Sequence, residues 1–326
     1  MRRMLVALLT AVVLTGLTPL RAGSQTRTQR RAISPAESLP DGVAAKDVRF
    51  YSEGIECRGK IFTPKGFSAE GRAPAVALAP DRGETAASIE KYAAHFASRG
   101  LVAMVIDYRG WGKSGGFLQT VDEVKTDDRL RFSQMTARVR IRRKRLIPRE
   151  QILDIRNALY YLQGEPGVDR ARVGVWGAGM AGGHVIVIAA TDARVKAVVA
   201  QTPVIEGRDA PRKAYAPTGD LLLAEQKRAR EGYLPGARAS IDVETRLALA
   251  EYHPFWYVEQ IPQKTAALFV VAEKGARTNN AVDASKLLKG PTDVARVPGV
   301  TRDRIDAGAE FNTAATAAAE WFLKYL

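Results

Sequence analysis

The chain has 326 residues, of which 46% are hydrophobic and 26% are charged, and 49 Lys and Arg against 35 Asp and Glu give a formal net charge of +14. This composition suits one large or two small globular domains and excludes an intrinsically disordered chain. A single cysteine excludes an internal disulfide and a CxxC motif, and three histidines are few for a metal enzyme, so we predict no metal site. The net charge indicates either an anionic partner or a solvated basic surface.

The N-terminus has the pattern of a secretory signal. Met1-Arg2-Arg3 is followed by an uncharged apolar stretch at 4–20 and by small residues. We predict a signal peptide at 1–22, cleaved after Ala22, and a secreted or periplasmic mature protein. The apolar stretch is at the lower edge of the length that spans a bilayer, so the alternative is an uncleaved membrane anchor.

Strand and helix signals alternate through the domain predicted at 43–326, after a flexible leader at 23–42. Repeated strand and helix units with continuous apolar strands predict an α/β fold, with a mostly parallel sheet covered by helices on both faces. The strands are predicted at 48–51, 57–62, 75–79, 101–107, 173–176, 195–200, 268–271 and 294–297, and the helices at 88–98, 149–162, 184–191, in a long segment before 268, and at 309–326.

A glycine-rich turn within 173–184 joins a predicted strand to a predicted helix. This order is typical of a nucleophile elbow, in which small flanking residues let a strained turn lift one side chain above the sheet. Together with the segments 107–116, 154–169 and 193–200, it resembles the α/β-hydrolase superfamily, particularly its dienelactone-hydrolase-like and X-Pro-peptidase-like secreted branch. The resemblance extends over 43–326 and implies an α/β-hydrolase fold, which in relatives carries a Ser-His-Asp triad.

The residues at the three triad positions depart from the family pattern. The nucleophile position, two residues after Gly177, is Gly179, which has no side chain to attack a carbonyl. The acid position after the strand at 268–271 is Gly275, and the base position after the last strand is Arg302, whose guanidinium stays protonated. Ordinary Ser-His-Asp hydrolysis is therefore not expected.

Four more residues are predicted to line the cleft. Relatives bring a backbone amide to the oxyanion with His-Gly or Pro-Gly, whereas this chain has Pro-Asp-Arg-Gly at 80–83. The Asp81 carboxylate would repel a developing oxyanion unless Arg82 neutralises it. Met180 follows the nucleophile position, and His253 begins a turn in a lid-like region.

The other nucleophiles and acids have structural interpretations. Cys57 is predicted to be a core thiol, Ser114 to stabilise a turn and His184 to pack within a helix. Asp303 and Asp306 are candidates for an acid displaced from the empty acid position, but without a base and a nucleophile they have nothing to orient. The one Gly-Lys-Ser run lacks the preceding glycine of a phosphate loop, so we predict no nucleotide and no other cofactor.

A basic insertion is predicted at about 117–148. Residues 129–149 hold nine Lys and Arg and no Asp or Glu, and the period-two alternation at 137–142 places arginines on one face of a strand or ribbon. The insertion is either a solvated edge strand protected by charge or a contact for anionic lipid, polysaccharide or another protein. Nucleic acid is disfavoured for an exported chain, and no aromatic residues interleave the arginines of 138–145. The candidate contact residues are Arg138, Arg140, Arg142, Arg143, Lys144 and Arg145.

The sequence therefore favours an exported α/β-hydrolase-like protein without triad residues. We predict a non-hydrolytic protein that binds a small molecule, a lipid or a protein partner in the former active-site cleft, with Arg302 as an anion anchor. The alternative is an enzyme with relocated catalytic groups, either a hydrolase of the esterase, lactonase or peptidase type or a lyase or transferase.

Overall fold

Strands and helices alternate along the chain in the computed structural model, which describes residues 38–125, 127, 129–206, 216–231, 243–273, 275–301 and 304–326. The strands are β1 (Ala44–Ser52), β2 (Ile55–Thr63), β3 (Ala73–Ala79), β4 (Val102–Asp107), β5 (Phe117–Thr120), β6 (Val139–Arg142), β7 (Val168–Ala178), β8 (Val195–Gln201), β9 (Ala266–Ala272) and β10 (Thr292–Val297). The helices are α1 (Glu90–Ser98), α2 (Pro148–Gly164), α3 (Met180–Thr191), α4 (Asp220–Glu231), α5 (Val243–Ala250), α6 (Ala276–Ser285) and α7 (Gly308–Tyr325), with short 3-10 helices at Ala86–Ser88 and Pro254–Gln260.

Eight strands form one sheet in the order β1-β2-β4-β3-β7-β8-β9-β10. The hairpin of β1 and β2 joins β4 antiparallel, and every pairing from β4 through β10 is parallel. Alternate residues of the inner strands face two apolar layers, one packed under α1 and α7 and the other under α2, α3 and α6. The predicted α/β-hydrolase fold, a mostly parallel sheet with helices on both faces, is confirmed.

The parallel strands bring the predicted site loops to one edge of the sheet. Their carboxyl ends lead into the loop at 80–83, the loop at 108–116, Gly179, Thr202 and Gly275. Ligands of open α/β sheets bind in the crevice outside this edge. The topology therefore gathers there the residues whose chemistry decides the function.

Three helical segments differ from the sequence-based prediction. Helix α3 begins at Met180 rather than 184, because the turn at Gly179 leads directly into it. The predicted long helical segment consists of α4, α5 and a 3-10 helix, and α6 was not predicted because its polar stretch at 277–280 hides the apolar spacing.

The N-terminal predictions lie outside the described residues, which begin at 38. These predictions are the signal peptide at 1–22 and the part of the leader at 23–42 that precedes residue 38. None of the helices that the structure describes has the length and apolar character needed to cross a bilayer. Leu39–Leu326 forms one compact unit.

Cys57 is a buried core residue of β2, and burial raises the pKa of its thiol to about 12. Only the thiolate reacts with alkylating reagents, and a free cysteine titrates at about 8.5. We therefore predict that iodoacetamide at about pH 8 leaves the native protein unlabelled and labels it quickly in denaturant. Intact mass after timed quenching measures this difference, and rapid labelling of the native protein would contradict the core assignment.

Candidate functional site

The turn after β7 has the backbone of a nucleophile elbow. Gly179 adopts φ 54° and ψ −114° between β7 and α3, a conformation that strains any residue with a side chain. The turn is tight, since a Cβ on Gly177 would lie 2.4 Å from the carbonyl oxygen of Ala181. The chain thus keeps the strained turn while holding no nucleophile at its tip.

The space beside Gly179 is filled by the side chain of Asp81, which comes from the loop after β3. A Cβ built on Gly179 would lie 2.0 Å from Asp81 Oδ2 and 2.3 Å from Oδ1. Atoms cannot approach this closely, so the Asp81 carboxylate occupies the place where a residue 179 side chain would begin. Glycine at 179 and aspartate at 81 are therefore sterically matched.

The same carboxylate accepts the backbone amides of Met180 and Arg82, and in α/β hydrolases the oxyanion hole is built from the amide after the nucleophile and an amide of the loop after β3. The Met180 amide donates to Asp81 Oδ1 at 2.6 Å, and the Arg82 amide donates to the same oxygen at 2.6 Å. In a hydrolase these donors stay vacant for the oxyanion of the transition state, whereas here the Asp81 side chain already uses them. The Arg82 side chain itself is exposed.

Gly275, at the predicted acid position, is one of the residues that line a small cavity. Its backbone has φ 132° between β9 and α6, and a Cβ there would meet no atom within 4 Å. The cavity has a volume of about 250 Å³ and is lined by Thr202, Val271, Ala272, Gly275, Ala276, Arg277 and Thr278.

Two lining residues, Thr202 and Arg277, were not among the sequence candidates. Thr202 follows β8 and holds a positive φ of 40°, a conformation in which a β-branched residue is strained. Arg277 donates from Nη1 to the Thr202 carbonyl oxygen at 3.4 Å. The sequence could have indicated Arg277, because it stands two residues after Gly275, the predicted acid position.

Arg302 and Asp303 lie outside the described residues, so the structure does not place the predicted base position. Asp306 is described, and its exposed side chain bonds to the buried residues Tyr92 and Gln201. Its Oδ1 accepts the Tyr92 hydroxyl at 2.6 Å and the Gln201 amide at 2.8 Å. Burial raises the pKa of Tyr92, and the nearby Asp306 carboxylate raises it further.

His184 packs inside α3, as the sequence predicted. Its Nδ1 lies 2.7 Å from the Tyr252 hydroxyl, and its Nε2 lies 2.9 Å from Gln151 Oε1. Complete burial lowers the pKa of His184 to about 3. The imidazole is therefore neutral at physiological pH and fixes α2 and the segment before Pro254 against the elbow helix.

Burial of neutral His184 predicts an acid-dependent loss of stability. Between about pH 6.5 and about pH 3 the unfolded chain binds a proton that the folded chain excludes, so stability falls as pH falls. One such proton contributes at most about 1.4 kcal/mol per pH unit. We expect the unfolding free energy of His184→Gln to fall less steeply as the pH falls, by up to this amount per pH unit. The comparison variant is His95→Gln. Burial also lowers the pKa of His95, but His95 is only half-buried, so this variant should remove a smaller part of the slope. Equal slopes in all three proteins would contradict the assignment.

His253, the remaining histidine candidate, is held by packing. Its ring stacks on Trp256 with centroids 4.3 Å apart, and Nε2 lies 3.1 Å from the carbonyl oxygen of Ala250. It precedes the 3-10 helix Pro254–Gln260. Neither of these contacts is with Gly179.

Ser114 stabilises the loop after β4, which confirms its predicted role in a turn. Its hydroxyl donates to the Asp107 carbonyl oxygen at 2.7 Å and accepts the Arg58 amide at 2.9 Å. The Asp107 carboxylate accepts the amides of Ala86 and Lys113, both at 2.8 Å. These contacts leave Ser114 as part of the scaffold. In the described part of the chain, no cluster of three or more His, Cys, Asp and Glu has a metal-binding arrangement.

The basic insertion forms a two-stranded antiparallel ribbon of β5 and β6, so the predicted ribbon exists. Several of its predicted contact residues already have partners within the chain. Arg138 pairs with Asp122, and Arg143 donates to the carbonyl oxygens of Ser114 and Gly112. Arg142 and Arg145 both bind Glu244. Arg140 and Lys144 are exposed, and Lys144 has a positive φ of 59°.

Comparison with known proteins places these features in a family. The chain is 25% identical over 270 residues to the quorum-quenching protein AidA of Acinetobacter baumannii, which covers 82% of this chain and 77% of that protein. The hypothetical protein PA2218 from Pseudomonas aeruginosa superposes with a TM-score of 0.67 at 20% identity, covering 89% of this chain and 96% of that one. The α/β hydrolase GrgF from Penicillium sp. sh18 superposes with a TM-score of 0.63 at 20% identity, covering 86% and 99%.

These likenesses confirm the resemblance to dienelactone-hydrolase-like α/β hydrolases. The family described as acetyl xylan esterase (AXE1) matches residues 24–207, more than half of the chain, and this segment includes the loop at 80–83 and the elbow at Gly179. The protein is therefore a member of the acetyl xylan esterase (AXE1) family.

Proposed function

We propose that this protein is an exported, non-hydrolytic member of its family that binds a ligand in the former active-site cleft. One observation carries the proposal: the Asp81 carboxylate fills the space beside Gly179 and accepts the Met180 amide. A serine hydrolase needs that space for its nucleophile and that amide for the oxyanion.

The catalysis expected without triad residues also supports a non-hydrolytic protein. Loss of the nucleophile or the base from a working triad lowers turnover by about 10⁶-fold. The residual catalysis of such enzymes, about 10³ to 10⁴ over water, comes from substrate binding and the oxyanion hole. Here the Met180 amide is already bound to a carboxylate, so even that residual contribution is weakened.

The cavity beside Gly275 supports a small, largely apolar ligand. Val271 and Ala272 are apolar lining residues, and the polar residues Thr202 and Arg277 also line the cavity. We propose Arg302, which the sequence places in the neighbouring loop, as an anion anchor for the same ligand. A ligand with an apolar body and one acidic group would satisfy both features.

The competing proposal is an enzyme with relocated groups, and Asp81 is the residue that would act in it. The family is named for an esterase, and the Asp81 carboxylate lies at the nucleophile position. An ester hydrolase built on Asp81 would depend on that carboxylate as nucleophile or base. Its activity would disappear in Asp81→Asn.

A fluorophosphonate probe tests whether a serine nucleophile acts in this protein, because it labels activated serines. The Asp81→Asn variant tests the competing proposal separately, since an enzyme that uses the Asp81 carboxylate would leave this probe unreacted. We expect no labelling of the unmodified protein. The comparison variant is Asp81→Gly combined with Gly179→Ser, Gly275→Asp and Arg302→His, since the Asp81 carboxylate would otherwise clash with a serine at 179. Labelling of residue 179 in this variant alone would support the emptied site, and labelling of the unmodified protein would overturn the proposal.

A further inference from the structure

The ribbon of β5 and β6 exposes an aliphatic face. Its register pairs Leu118 with Ile141 and Thr120 with Val139, and residues directly opposite one another share a face of the ribbon. All four are exposed, Leu118 by 59% and Ile141 by 61%. We call β5, β6 and the described loop residues 129–138 the basic hairpin.

Arg140 and Arg142 of β6 lie on the other face of the ribbon. On that side, Arg142 and the following Arg145 contact Glu244 of α5. Arg142 Nη1 lies 2.8 Å from Glu244 Oε2, and Arg145 Nε lies 3.1 Å from the same oxygen. Arg228 lies 3.5 Å from Glu244 Oε1. These ion pairs orient the basic hairpin so that its aliphatic face points away from the protein.

The loop residues of the basic hairpin extend the apolar surface and add positive charge. Phe132 is 88% exposed, the largest exposure among the bulky apolar residues that the structure describes, and Leu130 and Met135 are also exposed. Arg129 and Arg131, which precede Phe132 in the chain, are exposed too. Exposed apolar side chains interleaved with cations are typical of segments that lie in the interface of a membrane.

We propose that the basic hairpin docks on the surface of an anionic lipid bilayer. Leu118, Ile141 and Phe132 enter the boundary between headgroups and acyl chains, and the neighbouring arginines contact lipid phosphates. Long basic side chains suit this arrangement, because their stems cover apolar surface while their charges reach the headgroups. The proposal does not depend on what the cleft binds.

Charge favours a bilayer over two other occupants of this face. A second copy of the chain would bring Arg129 and Arg131 of both molecules near each other at a two-fold interface, with like-charge repulsion. An anionic polysaccharide would satisfy the arginines but would leave Leu118 and Ile141 without an apolar partner. A bilayer with anionic lipid matches both the charge and the apolar side chains.

Sedimentation with phosphatidylcholine vesicles, with and without phosphatidylglycerol, tests the proposal on the full chain. We expect binding only with phosphatidylglycerol, and weaker binding when salt rises from about 0.1 M to about 1 M. Phe132→Ser should weaken binding about tenfold or more. The double variant Arg129→Gln, Arg131→Gln should weaken it about fivefold for each cation removed.

Matched controls separate the basic hairpin from the rest of the surface. Leu323→Ser on α7 removes an exposed apolar side chain elsewhere, and Arg49→Gln with Lys289→Gln removes two exposed cations elsewhere. Both controls should bind like the unmodified protein, and thermal melts verify that every variant is folded. The proposal is overturned by absent vesicle binding, by equal binding to neutral vesicles, by controls as weak as the hairpin variants, or by binding of polygalacturonate without vesicle binding. A dimer in size-exclusion chromatography that Phe132→Ser dissociates would also overturn it.

Discussion

Gly179→Ser alone is expected to lower the free energy of unfolding by roughly 4 kcal/mol. Part of this cost is backbone strain, because residue 179 holds φ 54° and ψ −114°. The rest arises because the new Cβ would stand 2.0 Å from Asp81 Oδ2 and would displace the carboxylate from the Met180 amide. Urea denaturation of the single variant measures the total.

A double-mutant cycle with Asp81→Gly separates the two contributions. In that background Gly179→Ser should cost only the strain of the turn, about 1 to 3 kcal/mol, because no carboxylate remains to be displaced. Gly275→Ala is the control, since it also adds a Cβ at positive φ but meets open space. An equal cost of Gly179→Ser in both backgrounds would contradict the matched arrangement of Gly179 and Asp81.

Asp154→Ala is expected to destabilise the protein by about 3 to 5 kcal/mol. Asp154, on α2, is completely buried and accepts both the backbone amide of Arg109, at 2.9 Å, and its guanidinium, at 2.7 Å. Arg109 also donates to Ser52 at 2.7 Å, so the pair ties the loop after β4 to α2 and to β1. Removal of the carboxylate leaves a nearly buried guanidinium without its counter-charge.

Two further variants test whether the buried charge is the cause. Arg109→Leu combined with Asp154→Leu should recover much of the loss, because apolar replacement of both partners leaves no unpaired charge. Glu320→Ala removes the partner of Arg99 from an exposed pair and should cost less than about 1 kcal/mol. If Asp154→Ala were as mild as Glu320→Ala, the role assigned to this ion pair would be wrong.

The fold and the elbow could be predicted from the sequence because local patterns specify them. Continuous apolar runs mark the inner strands, and the glycine spacing at 177–179 falls directly after one of them. The sequence also named Asp81 and Met180 as cleft residues. It could not show that they bind each other, because they stand 99 residues apart and the contact depends on how β3 and β7 pair.

The orientation of the basic hairpin also escaped prediction. Alternation at 137–142 correctly indicates a strand with arginines on one face. Which face is exposed depends on Glu244, which lies 102 residues from Arg142 in the sequence. Glu244 belongs to α5, and the sequence predicted this helix only as part of one long helical segment. The sequence therefore emphasised the arginines, whereas the structure adds the exposed aliphatic face opposite them.

The rate of 4-nitrophenyl acetate hydrolysis tests the central claim most directly. It should be compared between the unmodified protein and Asp81→Asn, whose amide has nearly the same size and shape. If Asp81 blocks an emptied elbow, neither protein should exceed the buffer rate at any enzyme concentration. Turnover by the unmodified protein that is proportional to its concentration and lost in Asp81→Asn would contradict the account and would identify Asp81 as a catalytic residue.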